Sequence, residues 1–143
     1  MDPLAPKVAD RYAASLSDNP EKWRNQTREF LKQRGKFRKE RPFREFVLHL
    51  AESFDNLYFD MAATTQDGSR VVAWLFYGPW NADESSEDLE GAIEVDPAFR
   101  RQGLATAMYA WAEQLTGKKF APGIGHSSDA AAFWRQKNRP FGR

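Results

Sequence analysis

The spacing of apolar residues changes character near residue 57. Before it they recur at helical intervals. Leu4, Val8, Tyr12 and Leu16 lie four apart and predict a short helix over 2–17. Ser17, Asp18, Asn19 and Pro20 form a turn, where Asp18 or Asn19 can cap the next helix and Pro20 fits its first position. Trp23, Thr27, Phe30 and Leu31 give a helix over 21–33 its apolar side, and Gly35 ends it. Phe43, Phe46, Val47, Leu50 and Phe54 make a broad stripe and predict a third helix over 42–54. His49 lies in that stripe and reads as a partly buried core histidine rather than a catalyst.

After residue 57 the pattern is that of strands. Residues 57–64 read as one strand, and Gln66, Asp67, Gly68 and Ser69 as a hairpin turn. The paired strand over 70–77, RVVAWLFY, is nearly all apolar, so both of its faces should be covered. Gly78, Pro79 and Trp80 end it. Residues 81–87 are polar and acidic and predict a mobile loop. A strand over 89–95 should return antiparallel. Ile93 and Val95 are β-branched and share one of its faces. Asp96-Pro97 stops it, because proline cannot donate to a sheet ladder.

The run Arg100-Arg101-Gln102-Gly103-Leu104-Ala105 then turns the chain and opens a helix over 101–116. Leu104, Ala107, Met108, Trp111 and Leu115 form its apolar stripe, and Gly117 is its stop. A helix start exposes backbone N–H groups and carries partial positive charge. Gly103 and Ala105 have almost no side chain, so an anion such as a pyrophosphate can approach that backbone, with Arg100 and Arg101 beside it. The alternative is an ordinary strand-to-helix connection with two solvated arginines. A right-handed crossover through this helix places a short strand over 118–122 parallel to the strand before it. Gly123, Ile124 and Gly125 form a turn. Ser127, Ser128 and Asp129 cap a last helix over 130–137.

Arg100-x-x-Gly103-x-Ala105, preceded by Val95-Asp96-Pro97, resembles the Arg/Gln-x-x-Gly-x-Gly/Ala signature of the GCN5-related N-acetyltransferases. The resemblance is good over 89–116, weaker from 118 onward and poor before 57. It implies an α/β (α+β) fold of the acyl-CoA N-acyltransferase type: a mixed, mostly antiparallel sheet flanked by helices, here with a helical N-terminal segment. It implies acetyl-coenzyme A as cosubstrate, held by Val95, Arg100, Arg101, Gln102, Gly103, Leu104, Ala105 and Thr106. The acceptor would be an amine of a small molecule or a protein. Glu90 or Glu94, on the strand before the signature, would take the proton; otherwise they are a solvent-facing pair. A backbone N–H near Val95 would polarise the thioester carbonyl. The family's second motif is matched by Ser127-x-x-Ala130-x-x-Phe133-Trp134, with Trp134 where a tyrosine often protonates the leaving thiolate. Ser128 is then the candidate proton donor, ahead of Tyr109. The family's first strand and last strand pair are not evident.

Length and composition add limits. A chain of 143 residues suggests one domain, with a helical part over 1–56 and a sheet and cofactor core over 57–143. There is no cysteine, which excludes disulfides, thiolate zinc sites and an acyl-cysteine intermediate. No ligand spacing supports a metal. No apolar run is long enough to span a bilayer. The opening MDPLAPKVAD lacks the regions of a signal peptide, so a cytoplasmic location follows by default. The net charge of +1 conceals a basic run at 34–44, with Phe37 and Phe43 interleaved among arginines and lysines. Such a run can bind nucleic acid through phosphates and base stacking, or be a solvated loop whose rings pack inward. Two other readings therefore stand beside the acetyltransferase: a nucleic-acid-modifying enzyme on the same fold, of the phage DNA-modification type, and a non-catalytic coenzyme A-binding domain.

Overall fold

The computed structural model describes residues 20–51, 57–121 and Gly142. The expected helix over 2–17, the end of the expected third helix, the tail turn, the last helix over 130–137, Ser128 and Trp134 lie outside them. The described elements are helix α1 (Pro20–Gln33), strands β1 (Phe37–Phe43), β2 (Phe46–Ala51), β3 (Phe59–Thr65), β4 (Val71–Pro79) and β5 (Asp88–Val95), helix α2 (Leu104–Thr116) and strand β6 (Lys119–Phe120). The strands form one sheet in the order β1-β2-β3-β4-β5-β6. Neighbours are antiparallel except β5 and β6, which run parallel at Asp88↔Lys119 and Leu89↔Phe120.

Every residue of β4 is buried, as its unbroken apolar run requires. Helices cover both faces of the sheet. On one, Leu104, Met108 and Trp111 of α2 pack on Leu48, Met61, Leu75, Tyr77 and Leu89. On the other, Trp23 and Phe30 of α1 pack on Ala62, Val71 and Trp74. The split between Met61 and Ala62 is the two-residue alternation of a strand. Leu31, expected on the apolar side of α1, is 49% exposed. Gly117 stops α2 at φ 71°, a left-handed value that glycine adopts without steric cost, and its N–H bonds to Glu113 O.

Two expectations fail in the N-terminal part. The third helix over 42–54 is replaced by strand β2. Phe46, Leu48 and Leu50 turn to the α2 side, and β2 pairs with β1 and β3. A short apolar run with both faces covered contains helical and strand periods alike, so spacing alone cannot separate them. The basic loop over 34–44 is a short 3-10 turn, Arg34–Lys36, followed by edge strand β1. Its exposed charges and Pro42 suit an edge, where they oppose pairing with another chain. Phe37 turns inward against Phe30 at 5.0 Å and Trp74 at 6.0 Å, and Phe43 packs on the α2-side core. Both rings are half-buried.

His49 is buried, with Nε2 2.8 Å from Thr64 Oγ1. That hydroxyl donates to Thr65 O, so the imidazole supplies the proton and is the neutral Nε2–H tautomer. Burial lowers its pKa below 6.5, with Glu40 opposing and Arg34 assisting. The folded value lies below the unfolded one, so this contribution to stability is complete above the unfolded value. It is lost as pH falls below 6.5 toward the folded value. An NMR titration should give a His49 midpoint below 6.5 and an Nε2–H resonance at neutral pH.

Glu113 is a second buried polar residue. It accepts from Phe120 N at 2.7 Å, Gly142 N at 2.8 Å and Lys119 Nζ at 3.4 Å, which ties α2 to β6. Glu113→Ala leaves the Phe120 N–H without this carboxylate. The expected loss is about 1.5–3 kcal/mol in urea denaturation, the range for hydrogen bonds to charged groups.

Candidate active site

The site is built where β5 ends. Asp96 N donates to Val72 O at 2.8 Å, which extends the β4–β5 ladder to the edge of the turn. Pro97–Phe99 then forms a 3-10 turn capped by Asp96, whose Oδ1 accepts from Ala98 N at 3.1 Å. Asp96 Oδ2 accepts from Arg70 Nη2 at 2.5 Å, and the Arg70 guanidinium lies over the Phe99 ring at 5.0 Å. Arg100 Nε donates back to Val95 O at 3.3 Å.

Arg101 and Gly103 both have left-handed backbone, at φ 63° and 82°. Gly103 is the N-cap of α2 and offers no side-chain cap to its first turn. That leaves the opening amides of the helix to an outside acceptor, the geometry expected of an anion-binding turn. The β1–β2 hairpin frames this turn from one side. Arg44 Nη1 donates to Gln102 O at 3.1 Å, and a Cβ on Gly103 would meet Phe43 Cζ at 3.4 Å. Leu104 is buried in the core, so it can meet a ligand only through its backbone; Ala105 and Thr106 are half-buried. Arg44 was not among the residues expected here. Its only signal in the sequence was membership of the basic run.

Glu90 and Glu94 share one face of β5, the face toward α1. Glu94 is buried, pairs in register with Trp74 and accepts from Gln26 Nε2 at 3.0 Å. Glu90 is half-buried, with Tyr58 Oη 3.4 Å from its Oε1. Glu94 is buried and Glu90 half-buried, so the two are not a solvent-facing pair, although β6 pairs only with Asp88 and Leu89 of β5. Val95 turns to the opposite side and packs on the α2-side core. Gln26 and Tyr58, which give the two carboxylates different surroundings, carried no signal in the sequence.

The segment 81–87 makes local turns. Trp80–Ala82 is a 3-10 turn, and Asp83 Oδ1 accepts from Ser85 Oγ at 2.7 Å and Ser85 N at 3.0 Å. The Ser85 hydroxyl bond, then the Ser85 amide, lowers the Asp83 pKa. An open groove of about 810 Å³ lies beyond Asp96–Ala98, between α1 and the turn that joins β3 to β4. Trp23, Arg24, Thr27, Arg28, Ser69 and Arg70 line it. Among the described residues no group of three or more His, Cys, Asp or Glu is placed to hold a metal. No described helix is long and apolar enough to cross a membrane.

The model of the acetyltransferase (GNAT) family matches residues 20–135. No curated protein and no solved structure matches the chain.

The left-handed backbone at Gly103 gives a direct stability test. Gly103→Ala introduces a Cβ at φ 82° and 3.4 Å from Phe43 Cζ. Denaturation should show a loss of about 1–2 kcal/mol, the cost of a left-handed L-residue.

Proposed function

The chain belongs to the acetyltransferase (GNAT) family, and from that premise we propose that it transfers an acetyl group from acetyl-coenzyme A directly to an amine. Its mixed, mostly antiparallel sheet with a helix on each face is that family's acyl-CoA N-acyltransferase fold. One observation carries the proposal: the helix start at left-handed Gly103, without a side-chain cap and bracketed by Arg100, Arg101 and Arg44. A pyrophosphate fits that turn. The backbone amides of Gly103, Leu104, Ala105 and Thr106 would hold it, with Arg100, Arg101 and Gln102 at its rim and the Val95 backbone along the pantetheine arm.

The cosubstrate supplies a thioester. The amine must arrive neutral, since an ammonium has no lone pair to attack with. From Glu94 back to Glu90 the strand covers about 13 Å. A pantetheine arm running along β5 from the turn carries its sulfur that way, which supports Glu90 rather than Glu94 as the proton acceptor. The half-buried setting of Glu90 and the Tyr58 hydroxyl beside it suit that role. The amine nitrogen then forms its bond to the carbonyl carbon, the carbon–sulfur bond breaks, and the amine proton passes to Glu90. A β5 backbone N–H close to Glu90, rather than the Val95 N–H about 17 Å away along the strand, would steady the carbonyl oxygen as charge develops. Ser128 is our choice to return a proton to the thiolate, because the tryptophan at 134 has no acidic proton to give. Glu94 keeps a positioning role through Gln26.

Calorimetry with acetyl-coenzyme A, followed by turnover with an amine panel, tests this. Gly103→Glu should abolish cosubstrate binding in a folded protein. Glu90→Gln should lower kcat at least tenfold with binding unchanged, and Glu94→Gln should lower it less. Full affinity in Gly103→Glu would sink the assignment of the turn.

A further inference from the structure

Glu90 and Glu94 leave β5 on the same side, but the residues across from them on β4 are unlike. Glu94 is in register with Trp74, and Glu90 with Gly78. On the next strand, Ala62 is opposite Trp74. The register Phe59↔Tyr77, continued by one residue, sets Tyr58 opposite Gly78. The α1 face of the sheet therefore carries two cross-strand rows: Ala62–Trp74–Glu94 and Tyr58–Gly78–Glu90. In the first row the indole fills the middle and donates to Asp60 Oδ1 at 2.7 Å. In the second the middle position has no side chain, and the ring of Tyr58 lies against it.

Gly78 is required for that approach. It lies inside β4 and its φ is not left-handed, so backbone freedom does not account for it. A glycine inside a strand weakens it and often marks a close approach. A Cβ at position 78 would meet Tyr58 Cδ1 at 2.5 Å, Tyr58 Cε1 at 2.7 Å and Leu57 O at 2.9 Å. Neither the ring nor the backbone beside it has room for that atom. The ring is fixed on another flank as well. Tyr58 is 4% exposed and stacks on Phe76, with 5.3 Å between centroids and 8° between planes.

The consequence appears at the hydroxyl. β3 and β5 are two strand spacings apart, about 9.5 Å. Across the gap left by Gly78, Tyr58 Oη comes to 3.4 Å from Glu90 Oε1, with the hydroxyl donating. Catalytic hydrogen bonds are often this long before substrate binds and tighten when it does. A glutamate carboxylate rotates about flexible bonds, and a donor on a packed ring limits the directions its oxygens can face. Glu94 takes its bond from Gln26 on α1 instead.

We propose that Tyr58 and Gly78 are positioning residues for Glu90. The glycine opens the middle strand, and the tyrosine hydroxyl reaches across it to hold the carboxylate in the orientation that accepts the amine proton. This role rests on the assignment of Glu90 as proton acceptor. The amine N–H bond breaks and an O–H bond forms on Glu90, while Tyr58 keeps its own proton.

NMR and kinetics test it together. In the free protein, tyrosine isotope-labelled at Cζ reports the contact. The Tyr58 resonance, assigned by its loss in Tyr58→Phe, should move in Glu90→Gln and stay in place in Glu94→Gln. Tyr58→Phe keeps the ring and its stack and removes only the hydroxyl. In turnover with the amine panel it should lower kcat about tenfold, the weight of a hydrogen bond to a charged group, with KM and acetyl-coenzyme A affinity unchanged. In a Glu90→Gln background the same substitution should change kcat by less than about twofold, because the group it positions is gone. A tyrosine with a purely structural role would cost the same in both backgrounds. Gly78→Ala should move the Tyr58 resonance and lower kcat at least as far, and adding Tyr58→Phe to it should cost nothing more. A Tyr58 resonance indifferent to Glu90→Gln overturns the proposal, as does full kcat in Tyr58→Phe or an equal loss in both backgrounds. Full kcat in Glu90→Gln removes Glu90 as proton acceptor and its positioning with it. A wild type that acetylates no amine removes the acetyltransferase reading and this role together, even where the resonance has moved.

Discussion

The carboxylate of Asp96 takes hydrogen bonds from Arg70 Nη2 and Ala98 N, while its own backbone N–H closes on Val72 O. Three things are fixed at once. The ladder between β4 and β5 is carried to its last residue. The chain is started into the 3-10 turn at Pro97. Arg70 is drawn across the end of the sheet, over Phe99 and into the groove. The side chain of Asp96 is 8% exposed, so removing Arg70 alone would strand a charge away from water. The approach of the chain to Gly103 therefore depends on one ion pair between a hairpin and a strand end that are 26 positions apart in sequence.

That dependence explains which parts could be read from the chain. The hairpin between β3 and β4, the strand at β5, the helix at α2 and the short parallel strand at β6 all carry local signals: alternation, Asp-Gly, a left-handed glycine at each end of α2, and a right-handed crossover. The N-terminal strands carry none. Phe46 to Ala51 is apolar on both faces because α1 covers one side and α2 the other. That fact belongs to the assembled layers and not to the segment. β1 reads as a loop because an edge strand needs charge and proline to stay unpaired, and those same residues lower its apparent strand propensity.

The site divides in the same way. The turn is legible because its chemistry is backbone chemistry: an anion at a helix start needs small residues in a fixed order, and order is what a sequence records. The roles of Glu90 and Glu94 are not legible. They are two glutamates on one face of one strand, four positions apart. What separates them is Gln26 on α1 and Tyr58 before β3, each brought in by packing. Spacing along β5 says that they share a face; only the layer above says that one is enclosed and the other half open.

Charge follows packing rather than the linear sequence. The basic stretch at 34–44 does not stay together as one patch. Arg41 reaches Gln114 on α2, and Arg44 reaches Gln102 in the turn, so the run is spent along the edge of the sheet and at its end. Every hairpin connection on the β5-terminal side of the sheet brings its flanking residues to one rim. Arg44, Arg70, Arg100 and Arg101 arrive there because antiparallel pairing returns the chain to that rim, joined by Arg24 and Arg28 from the helix above. Basic residues from separate stretches of the chain thus reach one end of the molecule by topology, which is why a net charge of +1 gives no hint of them.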